Sequence, residues 1–375
     1  MAAGARHAVT NPPAWIVVSH VLLPNGAAHR LVTTLQARAR PVVFCGLPLP
    51  WGRRRRAEQL LPPSLESTPS VDKPGPVRLW EELNGVGDLA RFGRQVASLP
   101  FDRFVLVGCD PLGYAEARFV LADLRRRIRR TVWFVDWSAQ RLEHPVTGRA
   151  YQALTRFALR DAHEAAAISP AAASALGALS PGRATVRVVP NQPLHLGALP
   201  SWEERPAGVG YLEGLSLVQG SDLLVGIAQT LAAEEISLAI AGDGPASSDI
   251  QHAVGTLPGV RFHGLVERPS AIRPILASAR VGVALYDPAY PMHSCNDPLK
   301  VKDYLASGMR VVTTLPRLAD GDIVRSADYS LGPLLDEIRR VLRAPPPATG
   351  PQCHPLLREA AGPVEEFIDA PEESA

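Results

Sequence analysis

The sequence predicts an α/β protein made of two doubly wound domains, in which parallel strands alternate with helices. Three observations support this prediction. The chain has 375 residues, of which 46% are hydrophobic and 20% charged, so it is long enough for two packed cores. Short apolar runs alternate with helical stretches along most of its length. A stretch rich in proline, glycine and polar residues interrupts this alternation near the middle.

These signals predict four segments. Residues 1–190 form the first domain and residues 191–207 a linker, which begins after the Pro190-Asn191 turn. Residues 208–344 form the second domain. Residues 345–375 begin with three prolines and continue as a C-terminal helix over 356–368 that crosses back to the first domain, with a frayed tail.

In the first domain, strand-like apolar runs cover 15–20, 41–47, 104–110 and 131–136, and a helix covers 27–38. Polar residues follow several of these strands. In sheets of parallel strands, ligands bind at the carboxyl ends of the strands, so these polar residues are candidates for a site. Asp110 has an alternative interpretation as a helix N-cap, which is the more common role for such an aspartate.

In the second domain, a strand over 237–241 runs into the glycine-rich turn that contains Gly242 and Gly244. A further strand over 260–266 has His263 and Gly264 near its exit. Both turns are expected at the carboxyl edge of one sheet, where they can line a common crevice.

A helix is predicted from residue 297, with Asp297 as N-cap, Pro298 at the first helical position and Gly308 just past the end. It spans about three turns. Its N-terminus presents unpaired N–H groups and the positive end of the helix dipole, which together form an anion site. A strand follows over 309–314.

The chain has three lysines against thirty-six arginines, and two of them, Lys300 and Lys302, lie on this helix. Lysine is a compact point charge that meets a phosphate end-on, whereas arginine needs room for a planar fork. At helical spacing Lys300, Asp303 and Tyr304 share a face, and Lys302 points away from it. Lys300 and Asp303 are therefore the predicted functional pair.

Residues 298–312 resemble the C-terminal signature of GT-B nucleotide-sugar glycosyltransferases, particularly the group labelled glycosyltransferase family 4. The resemblance implies a GT-B-like fold, with two Rossmann-like domains facing a central cleft. It also implies that Lys300 meets the donor diphosphate and Asp303 the ribose, with the turns at Gly242, Gly244 and Gly264 near the donor.

Two features depart from that family pattern. Cys295 stands where an earlier glutamate is expected, and Asn296 and Asp297 are the nearest polar candidates for donor binding. The basic clamp of the loop that opens the second domain is missing from residues 210–220. His263 is a candidate phosphate partner that would compensate for this loss.

Acceptor binding and any general base are implied at the ends of the N-terminal strands. His20 and Asp136 are the candidate catalytic residues, and Asn25, Gly26 and Arg141 are the candidate acceptor contacts. Both catalytic candidates also have a structural interpretation, as a hydrogen-bonded strand-end histidine and a turn or N-cap aspartate.

The predicted function is transfer of a sugar from a nucleoside diphosphate sugar to an acceptor hydroxyl in polysaccharide, lipid-linked glycan or glycoconjugate synthesis. The scheme needs neither a metal nor a cofactor beyond the donor itself, and retention or inversion of configuration stays open. Two alternatives remain: a nucleotide-sugar 2-epimerase, and a noncatalytic homologue that acts as a partner subunit.

Composition limits the other possibilities. The net charge of +2 does not call for a nucleic acid partner. No apolar run is long enough for a transmembrane helix or a secretory signal, so the protein is expected in the cytoplasm. Arginine clusters at 53–56 and 125–130 favour either a solvated surface or peripheral contact with anionic lipid. The cysteines contain no CxxC pair, and Asp320-Gly321-Asp322 is interpreted as a turn rather than a metal motif.

Overall fold

The computed structural model describes residues 13–19, 26–46, 93–94, 96–99, 101–122, 128–135, 137, 148–180, 185–194, 198–212, 214–266, 269–315, 317–318, 321–347 and 354–369. The predicted site residues His20, Asn25, Asp136 and Arg141 lie outside this part of the chain, as do Arg53 to Arg56. No helix in the described residues is long and apolar enough to cross a membrane.

The chain divides into two compact units. Met1–Val188 together with Ile368–Ala375 form the first unit, and Val189–Phe367 form the second. Residues 191–207, predicted as a linker, therefore fall within the second unit.

The first unit contains a parallel sheet of six strands in the order β2-β1-β3-β4-β5-β6. Its elements in chain order are β1 Ala14–Ser19, α1 Ala27–Ala37, β2 Val42–Gly46, β3 Phe104–Gly108, α2 Pro111–Val120, β4 Ile128–Phe134, α3 Gly148–Asp161, β5 Glu164–Ala167, α4 Pro170–Leu179 and β6 Arg187–Val188. The side chains of β1 and β3 are buried throughout, as expected for a parallel sheet covered on both faces.

Two details of the first unit bear on the sequence predictions. Asp110 caps α2, where its carboxylate accepts a 2.7 Å hydrogen bond from the Gly113 N–H, so its structural interpretation is confirmed. Of the arginine cluster at 125–130, Arg129 and Arg130 lie in β4. They pair with acidic side chains of the same unit, Arg129 with Glu164 at 2.7 Å and Arg130 with Asp161 at 3.2 Å.

The second unit contains another parallel six-stranded sheet, in the order β12-β11-β10-β7-β8-β9. Its elements in chain order are β7 Val209–Leu212, a 3₁₀ turn Leu217–Gln219, α5 Ser221–Ala233, β8 Leu238–Ala241, α6 Ser247–Val254, β9 Val260–Gly264, α7 Pro269–Ala277, β10 Val281–Ala284, a 3₁₀ turn Pro291–Cys295, α8 Leu299–Ala306, β11 Arg310–Thr313, β12 Ile323–Arg325, α9 Leu331–Leu342 and α10 Pro355–Asp369. The end of α10, from Ile368, belongs to the first unit.

Helices pack on both faces of this second sheet. One core contains side chains of α5, α6 and α9, including Leu224, Ile250 and Ile338. The other contains side chains of α7, α8 and α10, including Leu276 and Leu357. Both units are therefore α/β layers with parallel sheets, which confirms the predicted fold class.

The start of α8 differs from the sequence prediction. Asp297 is not its N-cap, because the helix begins at Leu299 and the cap position is Pro298, which offers no side-chain hydrogen bond. The helix has 8 residues, or about two turns rather than three. Its end is as predicted: Gly308 follows the last turn with φ +73°, a left-handed conformation that glycine adopts without strain.

The Asp320-Gly321-Asp322 sequence, which formally matches a DxD metal motif, lies partly in the described residues. Asp322 immediately precedes β12, is buried, and lies 3.8 Å from the Arg310 guanidinium. This pairing is consistent with the predicted structural role.

Candidate functional site

The order of strands in the second sheet locates its crevice. The chain passes from β7 to β8 and β9 in one direction, and from β10 to β11 and β12 in the other, so β7 and β10 are neighbours at the point where the direction reverses. In doubly wound sheets, ligands bind at the carboxyl ends of the strands at such a switch point. The connections after β7 and β10 are therefore the primary candidates for the site.

The predicted glycine turns meet at this edge of the sheet. The Gly242 N–H donates a 2.8 Å hydrogen bond to the Gly264 carbonyl, which joins the turns after β8 and β9. The Leu215 N–H donates to the Asp243 carbonyl at 3.0 Å, which joins the turns after β7 and β8. A side chain at Gly244 would place its Cβ 2.5 Å from the Leu215 carbonyl oxygen, so this packing requires glycine.

Lys300 brings its ammonium group to the switch point. It lies in the first turn of α8 and is 6% exposed. Its Nζ lies 4.0 Å from the ring centroid of Tyr286, which follows β10, and 6.0 Å from that of Tyr211 on β7. Nζ also donates a 3.5 Å hydrogen bond to the Leu285 carbonyl. Burial holds the pKa of Lys300 well below its ordinary value.

Tyr304 links β7 and β10, the two central strands, at the switch point. Its hydroxyl donates to the Val283 carbonyl of β10 at 3.2 Å and accepts from the Leu212 N–H of β7 at 2.7 Å. Its ring packs so closely on Gly282 that an added Cβ there would collide with it. The helical spacing that groups Lys300 with Tyr304 thus directs both side chains to the ends of β7 and β10.

His293 joins the two connections that flank the switch point, although the sequence did not single it out. It lies in the 3₁₀ turn before α8 and is 6% exposed. Its Nε2 lies 3.0 Å from the Val218 carbonyl in the turn before α5, and its ring centroid lies 5.0 Å from that of Tyr286. Burial lowers the pKa of His293, and its buried Nδ1 has no hydrogen-bond partner among the described residues. The sequence signal that indicates His293 is its position two residues before Cys295, which stands where the family resemblance implies a glutamate.

Asp297 and Lys302 form a buried ion pair, with Nζ and Oδ2 2.7 Å apart. The Asn191 N–H donates to the same Asp297 oxygen at 2.6 Å, and the Asn191 side-chain amide donates to the Asp297 carbonyl at 2.8 Å. Lys302 also donates to the Asn191 carbonyl at 2.7 Å. Asp297 and Lys302 therefore fix the segment after Pro190 to the start of α8.

Asp303 is likewise turned towards this segment. It is 4% exposed, and its Oδ1 accepts a 2.9 Å hydrogen bond from the Leu194 N–H. Asn296 is half-buried at the end of the Pro291–Cys295 turn, and its N–H donates to the His293 carbonyl at 3.3 Å. Of the predicted donor residues on this helix and its approach, Lys300 is the one whose head group lies beside the ends of β7 and β10.

His263 lies away from this group. It is an exposed residue of β9, the edge strand, which is separated from β10 by β7 and β8. Three strand spacings correspond to about 14 Å. Partial burial and the nearby Arg261 lower the pKa of His263, which disfavours the charged form. This position does not bring His263 to Lys300.

Gly26 is the one predicted acceptor residue in the described part of the chain. It is the N-cap residue of α1, and its carbonyl accepts a 3.0 Å hydrogen bond from the Arg30 N–H. Its contribution to a site would come from its backbone.

A family model provides the first comparison with known proteins. Residues 208–331, which include β7 to β12 and α8, match the model described as Glycosyl transferases group 1. The similarity to this family therefore lies within the second unit. No curated protein sequence matches the chain.

Solved structures show that the similarity in fold extends beyond this domain. Sucrose-phosphate synthase from Thermosynechococcus elongatus superposes with a TM-score of 0.59 at 14% identity, over 96% of this chain and 94% of that one. The UDP-forming α,α-trehalose-phosphate synthase from Burkholderia vietnamiensis gives 0.56 at 13% identity, over 94% and 96%. These likenesses establish the GT-B fold for this chain.

A third solved structure is matched over a smaller share of its own length. A mutant of S. aureus TarM, in complex with fondaparinux, alpha-GlcNAc-glycerol and UDP, superposes with a TM-score of 0.50 at 11% identity. The match includes 75% of this chain, which spans 55% of the length of that protein.

Proposed function

We propose that this GT-B group 1 protein is a glycosyltransferase that moves a sugar from a nucleoside diphosphate sugar to an acceptor hydroxyl. The observation that carries the proposal is the buried Lys300 ammonium at the ends of β7 and β10, within the matched glycosyl transferase domain. A buried cation with a lowered pKa is stabilised in its charged form when an anion binds beside it. A diphosphate is an anion of this kind.

The chemistry follows from the charge that develops. The bond between the anomeric carbon and the diphosphate oxygen breaks, and negative charge accumulates on the departing diphosphate. We propose that Lys300 and the N–H groups at the starts of α5 and α8 stabilise this charge, since they are fixed before the reaction begins. Positioning of donor and acceptor supplies the remainder of the rate enhancement.

The first unit supplies the acceptor side in this proposal. Asn25, Gly26 and Arg141 contact the acceptor. If configuration is inverted, His20 or Asp136 removes the proton of the attacking hydroxyl as its oxygen bonds to the anomeric carbon. If it is retained, an oxygen of the departing diphosphate takes that proton, and no dedicated base is needed. The acceptor is a glycan, a lipid-linked molecule or a small metabolite rather than a nucleic acid.

We further propose that the reaction needs no metal or resident cofactor, because protein cations and helix N-termini provide the positive charge that the diphosphate requires. The protein acts in the cytoplasm, with peripheral contact to anionic lipid. Exposed Phe119 on α2 and Phe157 on α3, at 82% and 42% exposure, support such a contact from the first unit.

A thermal-shift screen tests the donor site. UDP, GDP, dTDP, ADP and their common sugar conjugates are added at about millimolar concentration to the wild type, to Lys300→Met and to Arg340→Ala, an exposed control on α9. One nucleotide should stabilise the wild type and the control but not Lys300→Met.

No stabilisation by any nucleotide, with folded protein, would indicate the noncatalytic homologue instead. Proton NMR of the donor after incubation without acceptor tests for the epimerase, which would convert the sugar to its 2-epimer.

A further inference from the structure

We propose that His293 is a donor-binding residue whose Nδ1 accepts a hydrogen bond from a hydroxyl of the donor sugar. This inference rests on the proposed function. It places the donor sugar beside the Pro291–Cys295 turn. It concerns a residue whose buried nitrogen has no partner in the described part of the chain.

The contact with Val218 fixes the tautomer. A backbone carbonyl can only accept a hydrogen bond, so the 3.0 Å contact requires the proton on Nε2. Burial lowers the pKa of the ring, which is therefore neutral at pH 7. Nδ1 then carries a lone pair and can act only as an acceptor.

A buried acceptor without a donor is unfavourable by about 1–3 kcal/mol. A bound group that brings an O–H or N–H to Nδ1 removes this penalty. The diphosphate is ionised near neutral pH and offers mainly acceptor oxygens, so it does not satisfy Nδ1. Sugar hydroxyls can donate hydrogen bonds, and in the proposed substrate the sugar that bears them is joined to the diphosphate through its anomeric carbon.

The position of His293 suits this role. Tyr286 contacts both groups: its ring centroid lies 5.0 Å from that of His293 and 4.0 Å from the Lys300 Nζ. A donor whose phosphates meet Lys300 therefore has its sugar within reach of the Pro291–Cys295 turn. In the same turn, Cys295 offers only a weakly accepting thiol where the family resemblance implies a carboxylate. His293 supplies the stronger acceptor.

The ligand reaches Nδ1 only if the Pro291–Cys295 turn shifts, because the atom is covered in the unliganded chain. This turn is short, and its N-cap residue Tyr290 makes no side-chain capping bond. The alternative occupant is a water molecule that satisfies Nδ1 permanently, and the experiment separates the two.

Calorimetric titration of UDP and UDP-glucose, with GDP and GDP-mannose as the second pair, tests the assignment. The informative variant is His293→Gln, whose amide keeps a donor for the Val218 carbonyl but has no acceptor at the Nδ1 position. His252→Gln, on an exposed position of α6, is the matched control. We expect His293→Gln to leave the affinity for the nucleoside diphosphate within about twofold and to weaken the sugar conjugate about 3–10-fold, as the loss of one hydrogen bond predicts.

Three results would overturn the inference. An equal loss for nucleotide and conjugate would make His293 a structural residue, and no loss for either would mean that water occupies Nδ1. If wild type binds none of UDP, GDP, dTDP, ADP and their sugar conjugates, the proposed function fails and this inference fails with it. Binding of the nucleotide by wild type distinguishes the first two results from the third.

A pH series gives an independent readout. The ring is influenced by the Asp287 carboxylate, which raises its pKa, and by the Arg317 guanidinium, which lowers it, while Tyr286 and Tyr290 pack against it. Protonation converts Nδ1 from an acceptor into a donor, so the preference for the conjugate over the nucleotide should decrease as the pH falls below the ordinary histidine value of about 6.5. His293→Gln should not show this decrease, and a pH-independent wild-type preference would contradict the proposal.

Discussion

Replacing Lys302 by methionine should destabilise the second unit severely. The Lys302 side chain is 1% exposed and that of Asp297 is 11% exposed, so the variant leaves a carboxylate nearly out of contact with water and without its cation. It also removes the hydrogen bond to the Asn191 carbonyl. Asp297 keeps the 2.6 Å hydrogen bond from the Asn191 N–H, which offsets part of the loss.

Removal of one partner from a buried ion pair typically lowers the free energy of unfolding by about 3–5 kcal/mol. For a domain of about 150–250 residues, each kcal/mol corresponds to roughly 2–4 °C in Tm, so we expect a decrease of about 6–20 °C. The double variant Asp297→Asn, Lys302→Met removes both charges and keeps an acceptor for the Asn191 N–H. It should recover at least about half of the lost free energy, because the unpaired charge is the main cause of the loss.

Urea unfolding of the wild type, both single variants and the double variant, followed by fluorescence, measures these differences as a double-mutant cycle. Lys302→Arg is an additional control, since its planar group keeps the charge but not the compact shape. A loss below about 1 kcal/mol in Lys302→Met, or a double variant no more stable than that single variant, would refute the reasoning.

Three further predictions follow from the same structure. Burial lowers the pKa of Lys300, so the folded state holds the Lys300 proton less tightly than the unfolded state does. Lys300→Met should therefore raise the Tm of the protein without nucleotide at pH 7. This gain in Tm should fade as the pH approaches about 10.4, the ordinary lysine pKa. Burial favours a raised pKa for Asp161, but the Tyr114 hydroxyl, Arg130 and Arg118 outweigh it and lower that pKa. Asp161→Asn should therefore be less stable than wild type in urea at pH 6, and this difference should shrink as the pH falls below about 3.9. Gly244→Ala forces its Cβ against the Leu215 backbone, so it should cost about 1–3 kcal/mol, whereas Gly332→Ala, where a Cβ meets nothing within 4 Å, should not.

An unchanged Tm in Lys300→Met would mean that the Lys300 ammonium is not penalised by burial. A constant difference for Asp161→Asn from pH 6 to pH 3 would mean that the ion pairs of Asp161 do not lower its pKa. For Gly244→Ala, a stability equal to that of Gly332→Ala would show that the turns after β7 and β8 adjust without cost.

The strands were predictable because the sheets are parallel and covered on both faces. Such strands appear as nearly continuous apolar runs, and the runs at 15–20 and 237–241 correspond to Ala14–Ser19 and Leu238–Ala241. Helical spacing also correctly separated the directions of Lys300 and Lys302 on α8. The roles of the predicted donor residues remain predictions, since their placement alone does not test them.

The start of α8 was not predictable, because the competing contact is distant in sequence. Asp297 has the composition and position of an N-cap, but its carboxylate is taken by Asn191, 106 residues earlier, and by Lys302. Local capping rules do not include such partners. His293 was missed for the same reason, since the Val218 carbonyl that fixes its ring lies 75 residues away.

The contrast between buried lysines and a buried arginine explains why this arginine-rich chain keeps lysine on α8. Arg205, which is 3% exposed, directs its planar group to several carbonyls at once, among them those of Pro200, Ala279 and Ser307. Lys300 instead places a small head group 4.0 Å from the Tyr286 ring. A guanidinium is wider and would displace either that ring or the proposed diphosphate. Lys300→Arg should therefore keep the charge yet bind nucleoside diphosphate at least about tenfold more weakly in calorimetric titration, and wild-type affinity in this variant would show that charge alone defines the site.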